Sequence, residues 1–152
     1  MTDTEKLMKK YGVPSPTVAF EGRVLTLWDV PNDINRELPC IPNKIYCNKD
    51  IVRPLEVVFR DLISAYHGGK LEKLDSLITW DGCFNIRKKR GLQKLSTHSW
   101  GVAVDINAFR NQLGKTPTFS DKFASIWERH GWEWGGRWSR PDGMHFEYVK
   151  NL

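Results

Sequence analysis

Leu95-Ser96-Thr97-His98-Ser99-Trp100-Gly101-Val102-Ala103-Val104-Asp105-Ile106-Asn107 leads from a polar loop into a short apolar run, and the chain is best read outward from it. His98 offers an imidazole, the commonest biological zinc ligand. Asp105 follows within the apolar run Val102, Ala103, Val104 and Ile106, which predicts a strand carrying a carboxylate. An ionised aspartate buried without a partner costs several kcal/mol or takes up a proton, so a nearby cation is the economical explanation. A third ligand candidate, His145, opens the β-prone run at the end of Pro141-Asp142-Gly143-Met144-His145-Phe146-Glu147-Tyr148-Val149, and Asp142 stands close enough to share its site. Each residue alone has a plainer reading. A histidine beside a strand is commonly a hydrogen-bonded core residue, and an aspartate can cap a turn. It is the combination that points to metal.

With 152 residues, 40% hydrophobic and 27% charged, the chain has the size and composition of one soluble globular domain. Seven tryptophans argue against native disorder. The net charge of +5 favours anionic partners. Apart from Arg87-Lys88-Lys89-Arg90 the basic residues are scattered and no nucleic-acid-binding module is legible, so nucleic acid is not an expected partner. Cys40, Cys47 and Cys83 cannot all pair within one chain, which fits a reducing compartment of synthesis. A Cys40–Cys47 bridge is the alternative to three small buried thiols. The first residues lack a basic region followed by an apolar one, and no apolar run is long enough to span a bilayer.

Residues 4 to 11 read as a short amphipathic helix capped by Thr4, and 17 to 28 as a hairpin of two β-prone runs about Glu21-Gly22-Arg23. Pro31 to Asn43 reads as a loop and Ile45-Tyr46-Cys47 as a short strand. The clearest helix spans about 53 to 67, where Leu55, Val58, Phe59, Leu62, Ile63 and Tyr66 recur at helical spacing, with Pro54 in its first turn, His67 at its end and Gly68-Gly69 as its stop. Trp80 to Arg87 suggests a further strand. Ser120 is the expected cap of a helix reaching about His130. The predicted fold class is α+β: a small, mainly antiparallel sheet containing the segments near 83–86, 101–106 and 145–149, backed by helices.

The pattern Ser-x-His-x-x-Gly-x-Ala-x-Asp at Ser96 to Asp105, followed by Asp142-x-x-His145 with Phe146 and Glu147, resembles the M15 family of zinc peptidases. That family includes D-Ala-D-Ala carboxypeptidases and phage L-alanyl-D-glutamate endopeptidases. Gly82-Cys83-Phe84-Asn85-x-Arg87 is similar to a segment the family carries upstream, Asn111-x-x-Gly114 to one of its loops, and Trp134-Gly135-Gly136-Arg137-Trp138 to its aromatic segment. Arg137 departs from the acid usual there. The likeness covers about Tyr46 to Val149, and residues 1–45 are expected to pack as an extension on a single domain spanning 1–152.

The resemblance implies a Hedgehog/DD-peptidase-like fold and one Zn2+ per chain on His98, Asp105 and His145, leaving a fourth position for water. It implies Asp142 as the general acid and base and Arg87 as the cation facing the scissile carbonyl or a substrate carboxylate. Ser96 and Glu147 are candidates for supporting the ligands, although a surface role suits Glu147 equally well on sequence grounds. The expected partner is the stem peptide of peptidoglycan. The expected protein is a monomer, made in the host cytoplasm without a signal peptide and acting at the cell wall after release or from a virion. The rival from another class is a catalytically silent murein-binding module of a phage particle, because fold alone decides no function.

Overall fold

The structure is a computed structural model that describes residues 1–66, 71 and 73–152. The first helix, α1 (Asp3–Tyr11), starts one turn-residue pair earlier than Thr4 would place it. Thr2 is the cap: its hydroxyl accepts from the Glu5 backbone amide at 3.1 Å and the Glu5 carboxylate accepts from the Thr2 amide at 2.8 Å. Leu7 and Tyr11 are its buried face.

The expected hairpin over 17–28 is replaced by helix α2 (Val18–Val24) running into strand β1 (Leu25–Asp29). Thr17 caps the helix by accepting from the Phe20 amide at 3.2 Å, and Phe20 and Val24, four apart, are the pair it buries. The expected loop likewise contains helix α3 (Asn32–Glu37), whose Ile34 is fully buried. Strand β2 (Lys44–Asn48) pairs antiparallel with β1, Leu25 opposite Asn48 and Asp29 opposite Lys44.

Helix α4 (Val52–Ala65) buries Leu55, Val58, Phe59 and Leu62, as its periodicity predicts. The expected stop at Gly68-Gly69 and the role of His67 lie outside the described residues. Helix α5 (Asp121–Glu128) is capped by Ser120, whose hydroxyl accepts from the Phe123 amide. His130, expected beside a helix end, meets Asp61 of α4 at 2.6 Å.

A four-stranded antiparallel sheet carries the chemistry, in the order β3 (Trp80–Gly82), β4 (Ala103–Ile106), β6 (His145–Glu147), β5 (Glu133–Trp134). Here the expected strand at 83–86 is displaced to 80–82. The reason is local: the Cys83 carbonyl is taken by the His98 ring, and the Asn85 amide donates to the His98 carbonyl at 3.1 Å. Segment 83–87 therefore bonds to the His98 loop instead of extending a ladder.

Side chains alternate across a sheet, so the register decides what meets what. Val104 stands opposite Phe146, and Asp105 opposite His145. The Val104 and Phe146 face is apolar. Phe146 stacks on Trp127 of α5 at 4.3 Å between centroids and lies 6.0 and 5.7 Å from Phe123 and Phe119. The opposite face presents Asp105, His145 and Glu147. Among the described residues no helix is long and apolar enough to cross a membrane. Cys40, Cys47 and Cys83 are free thiols, so the Cys40–Cys47 bridge is absent.

Residues 1–48 hold the His98 loop from behind. The Asn48 side-chain amide donates to the Trp100 carbonyl at 3.0 Å, the Asn48 backbone amide to the Gly101 carbonyl at 3.0 Å, and the Trp100 indole to the Gly12 carbonyl at 2.9 Å. Gly101 has φ +67°, and a Cβ there would lie 2.7 Å from a Leu25 methyl and 2.9 Å from the Asn48 amide nitrogen. Neither neighbour can retreat freely, since the Asn48 amide is bonded to Gly101 itself. Gly101→Ala is expected to lower stability by about 2–4 kcal/mol, the sum of left-handed backbone strain and overpacking. Urea unfolding followed by tryptophan fluorescence measures this, and a loss below about 0.5 kcal/mol would contradict the packing described.

Candidate metal centre and active site

Three elements deliver three side chains to one point. The single 3-10 turn Thr97–Trp100 carries His98, strand β4 carries Asp105 and strand β6 carries His145. Ser96 caps the turn by accepting from the His98 amide at 3.3 Å. The cross-strand pairing sets Asp105 beside His145. The nitrogen and carboxylate oxygen atoms of His98, Asp105 and His145 lie within 4.8 Å of one another, so this group could bind a metal.

Hydrogen bonding on the far side of each ring fixes which nitrogen faces the centre. His98 Nδ1 lies 2.6 Å from the Cys83 carbonyl oxygen, which can only accept, so Nδ1 carries the hydrogen and Nε2 presents its lone pair inward. His145 Nε2 lies 2.8 Å from Glu147 Oε1 and donates to that carboxylate, leaving Nδ1 inward. The inward atoms are close without being bonded. His98 Nε2 is 3.1 Å from Asp105 Oδ2, and His145 Nδ1 is 3.4 Å from Asp105 Oδ1. Yet His98 Nε2 and Asp105 Oδ1 are buried with no hydrogen-bond partner. Donor atoms that converge and do not bond one another are what a cation requires and what a hydrogen-bonded core avoids.

The local field agrees. Burial opposes the charge on Asp105, but His145 and His98 beside it hold its carboxyl well below the usual carboxylate range. Burial likewise opposes a charge on His145, and Asp105 and Glu147 outweigh it, pushing the imidazole up to about 10. The pocket thus favours positive charge between these groups. A metal ion is the alternative to a proton there.

Glu147 is 3% exposed, which removes the surface role left open by its sequence. Thr97, overlooked in the sequence, donates to Glu147 at 3.3 Å. A second unforeseen contact comes from α1. Burial, then the Glu147 carboxylate beside it, push the Asp3 carboxyl up to about 6.

Asp142 lies at the mouth, where it lines one cavity with Asp105 and His145. Its amide donates to the Gly135 carbonyl at 2.9 Å and its carbonyl accepts from the His145 amide at 3.1 Å, tying it to the ligand strand. A Cβ on Gly135 would sit 2.5 Å from the Asp142 carbonyl oxygen, which accounts for the glycine of the aromatic segment. Burial raises the Asp142 carboxyl, and Asp105 adds to this against His145, His98 and Arg90.

The backbone of Arg87 is fastened to the His98 loop: its carbonyl accepts from the Ser96 amide at 2.8 Å and from the Ser99 hydroxyl at 3.0 Å. Arg87 lines cavities of about 300 and 420 Å³ that share Asp105, the first reaching His145 and the second His98. The aromatic segment divides. Trp132 and Trp134 are core, whereas Trp138 walls the first cavity, its indole donating to Glu133 at 3.0 Å and its ring 5.4 Å from His145. Arg137 turns away from the cavities to Asp121 and Glu128 of α5 at 2.7 and 3.2 Å, so its charge does not enter the groove.

Residues 90–148 match the family model described as D-alanyl-D-alanine carboxypeptidase, of the M15 peptidases. That match supports the M15 peptidase family. It spans Ser96, His98, Asp105, Asp142, His145 and Glu147 and begins after Arg87. No curated protein and no solved structure matches the chain.

Because Glu147 holds a ring whose other nitrogen faces the centre, Glu147→Gln is expected to weaken zinc affinity by roughly 10–100-fold, while His145→Ala removes stoichiometric binding. Competition against a chromogenic chelator distinguishes the two, and unchanged affinity in Glu147→Gln would deny Glu147 its orienting role.

Proposed function

We propose that the chain is a zinc-dependent peptidase that hydrolyses an amide bond in the stem peptide of peptidoglycan. The observation that carries this reading is the buried convergence of His98 Nε2, Asp105 and His145 Nδ1 without hydrogen bonds among them. Two imidazoles and one carboxylate are the donor set of a catalytic zinc site, with a position left over for a reactant. A zinc ion held there supplies Lewis acidity toward water and toward the scissile carbonyl.

The remaining work falls to the protein's own groups. Asp142 accepts a proton from the attacking water as its oxygen bonds to the carbonyl carbon, and passes that proton to the amine nitrogen as the C–N bond breaks. Its raised carboxyl suits an exchange in both directions. Arg87, with a permanent charge and a planar fork of donors, faces the carbonyl oxygen or a substrate carboxylate. Glu147 and the Cys83 carbonyl hold the two rings in register with the substrate.

Room on both sides of Asp105 suits a peptide that continues past the scissile bond, which supports the L-Ala-D-Glu endopeptidase of a phage lysin. The description of the matched family supports a D-Ala-D-Ala carboxypeptidase using the same centre. Asp142→Asn keeps the size of the side chain and removes its charge. It is expected to retain one zinc and a near-normal melting temperature while losing turnover by about 10²–10⁴-fold. Zinc content and mass spectrometry of digested muropeptides on one preparation test this, and identify the bond cut. Full turnover in Asp142→Asn would transfer the proton to another group, and a wild-type protein that binds zinc and murein but cuts nothing would be a binding module.

A further inference from the structure

The cavity beside His145 carries charge that the chemistry just described leaves unused. One wall is the hairpin around Lys88 and Leu95, where the Lys89 amide donates to the Lys94 carbonyl at 2.8 Å, and it brings Lys89, Arg90 and Leu92 to the cavity. Trp138-Ser139-Arg140 also lines it. The carboxylates at the cavity are committed elsewhere: Asp105 lies between two histidines, Glu147 is bonded to His145, and Asp142 is the proposed acid and base. Among the described residues none of Arg87, Lys89, Arg90 and Arg140 forms an ion pair, whereas the neighbouring Arg137 forms two. Cations without an ion-pair partner lining one small concave site, together with Leu92, Leu113 and Trp138, raise the local concentration of an anionic ligand and orient it.

We propose that Arg140, which lines this cavity together with Lys89 and Arg90, forms a subsite for a second substrate carboxylate, distinct from the group that Arg87 receives. The enzyme thereby selects stem peptides with a free acidic side group beside the scissile bond over the same peptides amidated. The inference rests on the peptidase reading for its substrate class. Removing one charge from a carboxylate contact at an exposed site lowers affinity several-fold, and a second cation at the same site multiplies the effect.

Two synthetic stem peptides differing only in carboxylate or carboxamide at that residue are titrated calorimetrically into zinc-loaded Asp142→Asn protein, which holds them without turnover. The acid peptide is expected to bind about 10-fold tighter, and raised salt should narrow the gap. Adding Arg140→Gln should reduce the ratio to about 2–3, and Arg140→Lys should keep most of it. Equal binding of the two peptides, failure of both to bind, or a ratio unmoved by Arg140→Gln overturns the subsite. If the expected preference holds and wild-type protein still cuts neither peptide, the subsite stands and the peptidase reading falls.

Discussion

The structure is organised around two imidazoles and a carboxylate whose facing atoms converge in a buried place, with His98 Nε2 and Asp105 Oδ1 left without a hydrogen-bond partner. Such a grouping costs stability unless positive charge fills it, and every element nearby is arranged to keep it from relaxing. The Cys83 carbonyl and Glu147 occupy the outer nitrogens of the two rings, so neither can swing its inner nitrogen toward a competing partner. Thr97 in turn donates to Glu147.

How much of this was legible in the sequence depends on where the signal lay. Helix α4 was read correctly because its period is long and its inward face purely apolar. The strands bearing Asp105 and His145 were legible as short apolar runs, and the site residues as residue types whose burial needs explaining. Helix α2 was missed because β-branched Val18 and Val24 resemble strand residues, yet Val18 is 91% exposed and exerts no packing preference. The Thr17 cap and the Phe20–Val24 spacing were the better signal. The edge strand was expected within 80–87, but that it ends at 82 was not legible, since this depends on the His98 ring taking the Cys83 carbonyl, a contact across 15 positions. For the same reason Glu147 could not be told from a surface acid. Its burial comes from α1 and the His98 turn, both remote in sequence.

The basic segment 87–90 shows a related limit. Composition alone gives it as one solvated cluster, but the backbone gives its members different surroundings. Arg87 is fixed by Ser96 and Ser99, Lys88 meets Gln93 at 3.0 Å, and Lys89 and Arg90 face the cavity. Arg137 is the converse, a basic residue in a segment associated with the groove whose side chain stitches a turn to α5.

The pairing of Asp105 opposite His145 has a bearing on how this chain can vary over time. Inserting or deleting one residue within either strand would rotate every following side chain to the other face, sending Asp105 or His145 among Trp127 and Phe146 and an apolar residue to the centre. No compensating point substitution at a single position repairs that. The connection from 107 to 120 lies outside both strands but is tied down itself, since Asn111 is fully buried and donates to the Asn107 carbonyl and the Thr118 hydroxyl. Lineages of this chain should therefore change within the two short strands only by substitution.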